Sequence, residues 1–198
     1  MINKKKIFIA VDTNKVSRAK KIIRDTQTKK IKVGYKFGLE FFFSKDGRKF
    51  ISSLKNQTIF LDLKLNDIPN TVRSAMKSLK NLKIAYLTVH LSSGLSALKA
   101  LKKESKNIKI TGVTTLTSLN NKDLKEIGYN KKVNELVKHQ AKLAKKAKLD
   151  AIVCSGHEIR LVKSEFKKEI ITPGIKIQNI KNDQKRVMKP SDAFKAGS

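Results

Sequence analysis

Phe60-Leu61-Asp62-Leu63-Lys64-Leu65-Asn66-Asp67-Ile68-Pro69-Asn70-Thr71 reads as a strand running into a turn and a helix. Residues two apart on a strand share a face. Asp62 and Lys64 therefore point one way, and Leu61, Leu63 and Leu65 the other. In a β/α barrel the outer face packs on helices and must be apolar, so the charged pair points inward, near the barrel mouth. Charges held there are desolvated and cost several kcal/mol each unless paired. A simple buried ion pair sealing the barrel end would account for two of them. It would not need the further acid at Asp67 or a lysine at Lys32.

Working outward, short β-branched or apolar runs alternate with longer amphipathic stretches. The expected strands are Ile7–Val11, Ile31–Tyr35, Thr58–Leu63, Ala85–Leu91, Ile108–Val113, Asp150–Cys154 and Ile170–Thr172. The expected helices are Asn14–Thr26, Asp46–Leu54, Pro69–Leu82, Leu95–Ser105, Lys131–Lys148 and Glu158–Phe166. In the stretch 131–148, Val133, Leu136, Val137, Gln140, Leu143, Ala144 and Ala147 fall close to helical spacing. Repeated strand–helix alternation argues for parallel β/α units, either a doubly wound sheet or a barrel. No Gly-rich fingerprint follows the first strand, where Asp12-Thr13-Asn14-Lys15 stands instead. Polar groups sit at several strand ends: Asp12, Lys32, Asp62 with Lys64, His90, and Thr117-Ser118. Functional groups drawn from many strands favour the TIM barrel. The 198 residues are expected to form one domain, 1–198.

Composition narrows the function classes. No apolar run approaches the ~18 residues of a membrane span, and the N-terminus lacks a signal-peptide pattern. The one cysteine, Cys154, excludes a disulfide framework and a Cys-rich zinc site and suggests a cytoplasmic setting. His90, His139 and His157 lie far apart without ligand spacing, so no metal site is expected. His90 reads as a barrel-core or interface residue, and Cys154 as packing. The formal charge of +29 invites a nucleic-acid reading. However, the basic residues include only six arginines, and the lysines run in pairs along the whole chain without aromatic interleaving. A phosphate- or base-reading surface usually recruits arginine for its bidentate fork. No specific nucleic-acid partner is expected, although attraction for a phosphorylated small molecule fits the charge.

Two single residues stay open on spacing alone. Lys32 shares a face with Gly34, which would leave room beside the ammonium; in isolation it also reads as a surface lysine. Asp12, in phase with Ala10 and Phe8, fits a helix N-cap as well as a ligand.

Together these residues resemble the orotidine 5′-phosphate decarboxylase family. Asp62-x-Lys64-x-x-Asp67 followed by Ile68-Pro69-Asn70-Thr71 is similar to its signature. Ala10-Val11-Asp12 resembles its first-strand motif, Lys32-Val33-Gly34 its second, and Thr115-Leu116-Thr117-Ser118-Leu119 its fifth-strand loop. Thr172-Pro173-Gly174-Ile175-Lys176 and Asp183-Gln184-x-Arg186-Val187-Met188 resemble the bacterial phosphate-side loop. The resemblance implies a (β/α)8 barrel that dimerises through its barrel mouths. It implies cofactor-free decarboxylation of orotidine 5′-phosphate to UMP in pyrimidine synthesis. By position, Lys64 would be the proton donor to C6, in an array with Lys32 and Asp62 completed by Asp67 of the second subunit. Ile68 and Thr71 of that subunit would line the site. Asp12 and Lys32 would hold ribose hydroxyls, Thr117 and Ser118 would meet the pyrimidine, and Gln184 would bridge base and phosphate. Lys176 stands where bacterial members more often carry arginine, leaving a point charge in place of a fork.

The chain ends at Ala193-Phe194-Lys195-Ala196-Gly197-Ser198, where the resemblance calls for an eighth strand with a Gly-Arg phosphate grip and a last helix. An incomplete barrel of about seven strands, poorly stable and weakly active or inactive, is the expectation. Two other functions are weighed beside the decarboxylase. One is a Mg2+-dependent keto-sugar-phosphate decarboxylase or lyase of the same superfamily, whose second strand would carry an acid. The other is a basic nucleic-acid-binding protein with a steep salt dependence.

Overall fold

The computed structural model describes residues 6–175 and 188–198. Among the described residues, seven strands form one parallel sheet in chain order: β1 (Lys6–Ala10), β2 (Lys32–Gly38), β3 (Thr58–Leu65), β4 (Tyr86–His90), β5 (Lys109–Val113), β6 (Ala151–Val153) and β7 (Glu169–Ile171). Each strand pairs with its sequence neighbour, so β1 and β7 are the two edges of the described sheet. The sheet curls as in a TIM barrel, and helices cover its outer face. These are α1 (Val16–Asp25), α2 (Leu39–Phe42), α3 (Gly47–Ser53), α4 (Pro69–Ser78), α5 (Gly94–Glu104), α6 (Asn121–Glu126), α7 (Val133–Lys146), α8 (Ile159–Glu165) and α9 (Pro190–Ala196).

Alternation along each strand produces the two layers. Ile59, Leu61, Leu87, Val89, Ile110 and Ile152 are fully buried against the helices, joined by Ala19, Val72, Leu98, Val137 and Val162 from the helical side. Each such aliphatic side chain is worth roughly 1.5–3 kcal/mol when removed from water. In α7 the buried residues Val133, Leu136, Val137, Gln140, Ala141 and Ala144 form one face, close to the expected one. The polar member, Gln140, is accommodated because its Oε1 accepts from the Thr115 N–H at 2.9 Å and the Thr115 hydroxyl at 3.2 Å.

The inner face starts with an aromatic floor. Phe8, Phe60 and Tyr86 meet with ring centroids 5.0, 5.1 and 5.7 Å apart. Below them the Tyr86 hydroxyl donates to Glu169 at 2.8 Å and accepts from Lys6 and Lys109, each at 3.2 Å. Gly34 belongs to this floor. A Cβ there would lie 2.7 Å from the Phe8 ring, so its lack of a side chain admits the ring and not a ligand.

Four elements depart most from expectation, and the first is α2, a single turn directly after β2 that was not expected. β2 continues to Gly38, three residues beyond the expected end. Tyr35 and Phe37 fill the outer layer, while Lys36 and Gly38 continue the inner one. The short α6 was not expected; it is held by a capping box in which the Asn120 side chain accepts from the Lys122 and Asp123 N–H groups. The terminal helix α9, packed on α8, was also not expected; Pro190 starts it and Gly197, at φ 105°, ends it.

Candidate active site

Four charged side chains converge at the C-terminal ends of β1, β2 and β3. Asp62 lies at the centre. Its Oδ2 is 2.9 Å from Lys64 Nζ and 3.7 Å from Lys36 Nζ, and Lys36 Nζ is 3.4 Å from Asp12 Oδ1. The order is acid, base, acid, base, and the formal charges cancel. Exposure grades across the group: the Asp62 side chain is 14% exposed, Lys36 26%, Lys64 34% and Asp12 70%. The innermost carboxylate is thus the one most in need of partners, since a buried unpaired charge is costly. It has them on both oxygens, because the Thr88 hydroxyl donates to Oδ1 at 3.0 Å.

The backbone beneath Lys64 is irregular. β3 and β4 pair at Phe60↔Tyr86 and Leu61↔Leu87, then next at Leu65↔Val89. Three β3 residues, 62–64, therefore face the single β4 residue Thr88. Lys64 takes φ 48°, the left-handed region, and is alone in doing so among the non-glycine strand residues described. Such a conformation costs about 1–3 kcal/mol and persists only where its surroundings enforce it. Here the Lys64 N–H donates to Thr88 Oγ1 at 2.7 Å. The expectation that Asp62 and Lys64 share a face holds, but through this bulge and not through a regular pleat.

Next to the array, His90 ends β4 half-buried. Burial, seconded by the Lys64 ammonium, pulls its imidazole below the usual histidine value, with Asp62 opposing weakly. It is the neutral ring that faces the site near pH 7.

The structure brings together Asp12, Asp62 and Lys64 as expected, but not Lys32. Lys32 opens β2 at the opposite end of the strand, exposed and in register with Lys6. It lies about 13 Å from Lys36 at the usual strand rise. The β2 ammonium in the array is that of Lys36, which the sequence reading missed. The signal was present: Lys36-Phe37-Gly38 repeats the spacing of Lys32-Val33-Gly34, in phase and four residues further along. Gly38 is in register with Asp62, and a Cβ on it would come 3.9 Å from Lys36 Nζ. The glycine beside the second-strand ammonium is thus Gly38.

Asp67, Ile68 and Thr71 are all exposed, on the turn after β3 and the first turn of α4. Asp67 accepts from the Ile68 N–H at 2.7 Å and makes no ion pair among the described residues. Thr117 and Ser118 lie in the connection from β5 to α6, on the same side of the sheet as the array, on the loop that Gln140 anchors at Thr115. Lys176 and Gln184 lie outside the described residues. Among those described, no group of three or more His, Cys, Asp or Glu could hold a metal ion, and no helix is long and apolar enough to cross a membrane.

Comparison with known proteins agrees with this fold. The orotidine 5′-phosphate decarboxylase of Carboxydothermus hydrogenoformans is 37% identical over 206 residues, covering 98% of this chain and 85% of that protein. That of Ehrlichia chaffeensis is 39% identical, covering 97% and 85%. Among solved structures, the Lactobacillus acidophilus orotidine 5′-phosphate decarboxylase superposes with a TM-score of 0.82 at 29% identity, over 97% of this chain and 86% of that one. The Methanocaldococcus jannaschii enzyme complexed with inhibitor BMP superposes with a TM-score of 0.76 at 24% identity, a likeness of fold, over 96% and 83%. Residues 5–198 match the profile of the orotidine 5′-phosphate decarboxylase / HUMPS family, and with the charged array at its strand ends the chain belongs to that family.

Proposed function

We propose that the protein decarboxylates orotidine 5′-phosphate to UMP without a cofactor, with Lys64 as the acid that protonates C6. The observation that carries this reading is the array Asp12–Lys36–Asp62–Lys64 at one end of the sheet. Loss of CO2 breaks the bond from C6 to the carboxylate and leaves an electron pair in the ring plane, where the π system cannot spread it. An ammonium fixed beside that carbon stabilises the pair and then transfers a proton to it, forming the C6–H bond. The neutral amine of Lys64 regains its proton from solvent. Asp62 holds the Lys64 ammonium in place before substrate arrives, and Lys36 pairs with the same carboxylate oxygen. A substrate carboxylate placed near Asp62 meets a raw repulsion of about 4 kcal/mol at ~4 Å and an effective dielectric of ~20. Departure of CO2 relieves it. Binding energy from the remote phosphate aligns the reacting carbon with the array.

In this proposal Asp12 and Lys36 hold ribose hydroxyls, Thr117 and Ser118 meet the pyrimidine, and Lys176 and Gln184 serve the phosphate side. Asp67, Ile68 and Thr71 complete the site of a second copy. Supporting this last point, Leu39, Phe43 and Ile68 are large apolar residues left exposed just beyond the ends of β2 and β3. The lysine on β2 speaks against the keto-sugar-phosphate alternative, which calls for an acid on that strand.

The test is a spectrophotometric decarboxylation assay in excess EDTA, run with enzyme in excess over substrate. Turnover by the unmodified chain and its loss by about 1,000-fold or more in Lys64→Ala is the expected result, since a positioned acid–base group typically supplies 10²–10⁴-fold. A requirement for Mg2+, or near-normal rates in Lys64→Ala, overturns the assignment.

A further inference from the structure

We propose that Thr88 is a positioning residue for the decarboxylation, its hydroxyl locking the proton-donating lysine and its carboxylate partner into one unit. The inference rests on the role of Lys64 proposed above and adds a group that the charged array does not include. Thr88 is wholly buried. Its single hydroxyl proton goes to Asp62 Oδ1 at 3.0 Å, and its oxygen accepts the Lys64 N–H at 2.7 Å. These two bonds fill the gap in the ladder between β3 and β4, where one residue faces three. A backbone carbonyl in that place could accept from Lys64 but could not donate to a carboxylate. A hydroxyl does both.

The neighbouring threonine shows that this is a particular arrangement and not a general property of the layer. Thr111, in register with Thr88 on β5, is equally buried, yet among the described residues its hydroxyl has no hydrogen-bond partner. The polar contacts of the layer are directed to β3. With Oδ1 held by Thr88, Oδ2 is the oxygen turned to the ammonium groups of Lys64 and Lys36. Without the hydroxyl the left-handed backbone at Lys64 loses its tether and the carboxylate is free to rotate. The reacting proton is then displaced, while the groups that would hold ribose, base and phosphate stay in place.

The experiment compares Thr88→Val, which keeps the branched shape and loses both bonds, with Thr88→Ser, which keeps the hydroxyl. Thr88→Ala serves as a second variant should valine prevent folding. In Thr88→Val the rate at saturating substrate falls about 100-fold, as expected for misplaced reacting groups. KM and UMP affinity stay within about threefold, because only the step after binding is affected. Thr88→Ser recovers most of the rate. Amide hydrogen exchange at Lys64 speeds up in Thr88→Val and not in Thr88→Ser. An unchanged rate in both Thr88→Val and Thr88→Ala, a serine variant as slow as valine, or a loss of UMP affinity equal to the loss of rate overturns the proposal. Lys64→Ala run alongside separates the two readings: activity retained there refutes the acid role, whereas amide exchange at Lys64 still reports on the Thr88 bond.

Discussion

Replacing Tyr86 by phenylalanine removes one hydroxyl from the barrel floor and leaves the ring packed on Phe8 and Phe60. That hydroxyl links the two edges of the described sheet. Lys6 reaches it from β1 and Glu169 from β7. The bond donated to the Glu169 carboxylate at 2.8 Å is charge-assisted, the kind worth about 1.5–3 kcal/mol. The two lysine contacts at 3.2 Å are longer. Lys109, half exposed, can recover its contact from water. Glu169 is not orphaned by the change, because Lys109 remains 2.7 Å away. The expected loss is therefore about 2 kcal/mol, near the middle of that range. For a chain of this size it lowers the thermal midpoint by roughly 4–8 °C. Urea unfolding followed by circular dichroism measures it. A double-mutant cycle with Glu169→Gln should show a coupling of at least about 0.5 kcal/mol, since the two groups share a bond. Unchanged stability in Tyr86→Phe, or strictly additive effects in the cycle, would refute the view that this hydroxyl ties the edges together.

Lys36→Ala should lower the decarboxylation rate by about 100-fold or more, whereas Lys32→Ala, at the far end of the same strand, should change it by less than about twofold; steady-state kinetics on both variants decides which lysine serves the site. Mixing inactive Asp67→Ala with inactive Lys64→Ala chains should restore part of the activity, because one site of a mixed dimer would hold both groups. Mixed dimers without any recovered turnover would count against a shared site. The hydrogen bond from Lys109 to Glu169 raises the lysine above its ordinary 10.5, with burial opposing. A cation whose folded value is raised stabilises fully below its unfolded value and loses that contribution as pH rises through the folded one. The stability gap between the unmodified chain and Glu169→Gln should accordingly hold at about pH 9 and shrink by about pH 11.5, as read from urea midpoints.

Much of this protein is legible in the one-dimensional pattern, for a local physical reason. A strand alternates its faces every residue, so Leu61 and Leu63 against Asp62 and Lys64 already separates the helix-facing layer from the interior. The repetition of such runs between amphipathic stretches such as 133–146 fixes the parallel β/α arrangement. Asp12, Asp62 and Lys64 needed nothing more than this to be placed at strand ends, and the structure joins them.

Alternation determines the side of the sheet but not the height along the barrel. Lys32 and Lys36 are four residues apart and therefore on the same face, so parity cannot choose between them. The choice is made by the register of β2 against β1, which sets Lys32 beside Lys6 and Lys36 beside Ala10, just before Asp12. That register is a property of two segments packed together. The same holds for the mismatch that sets three β3 residues against Thr88, turns Lys64 into a left-handed conformation and gives a buried threonine two partners. A periodic reading assumes an even pleat and passes over such an interruption. The identities of Asp62 and of one base were thus local information and Asp12 stayed open between cap and ligand on spacing alone, while the second base and the tether beneath the first exist only once neighbouring strands have fixed their stagger.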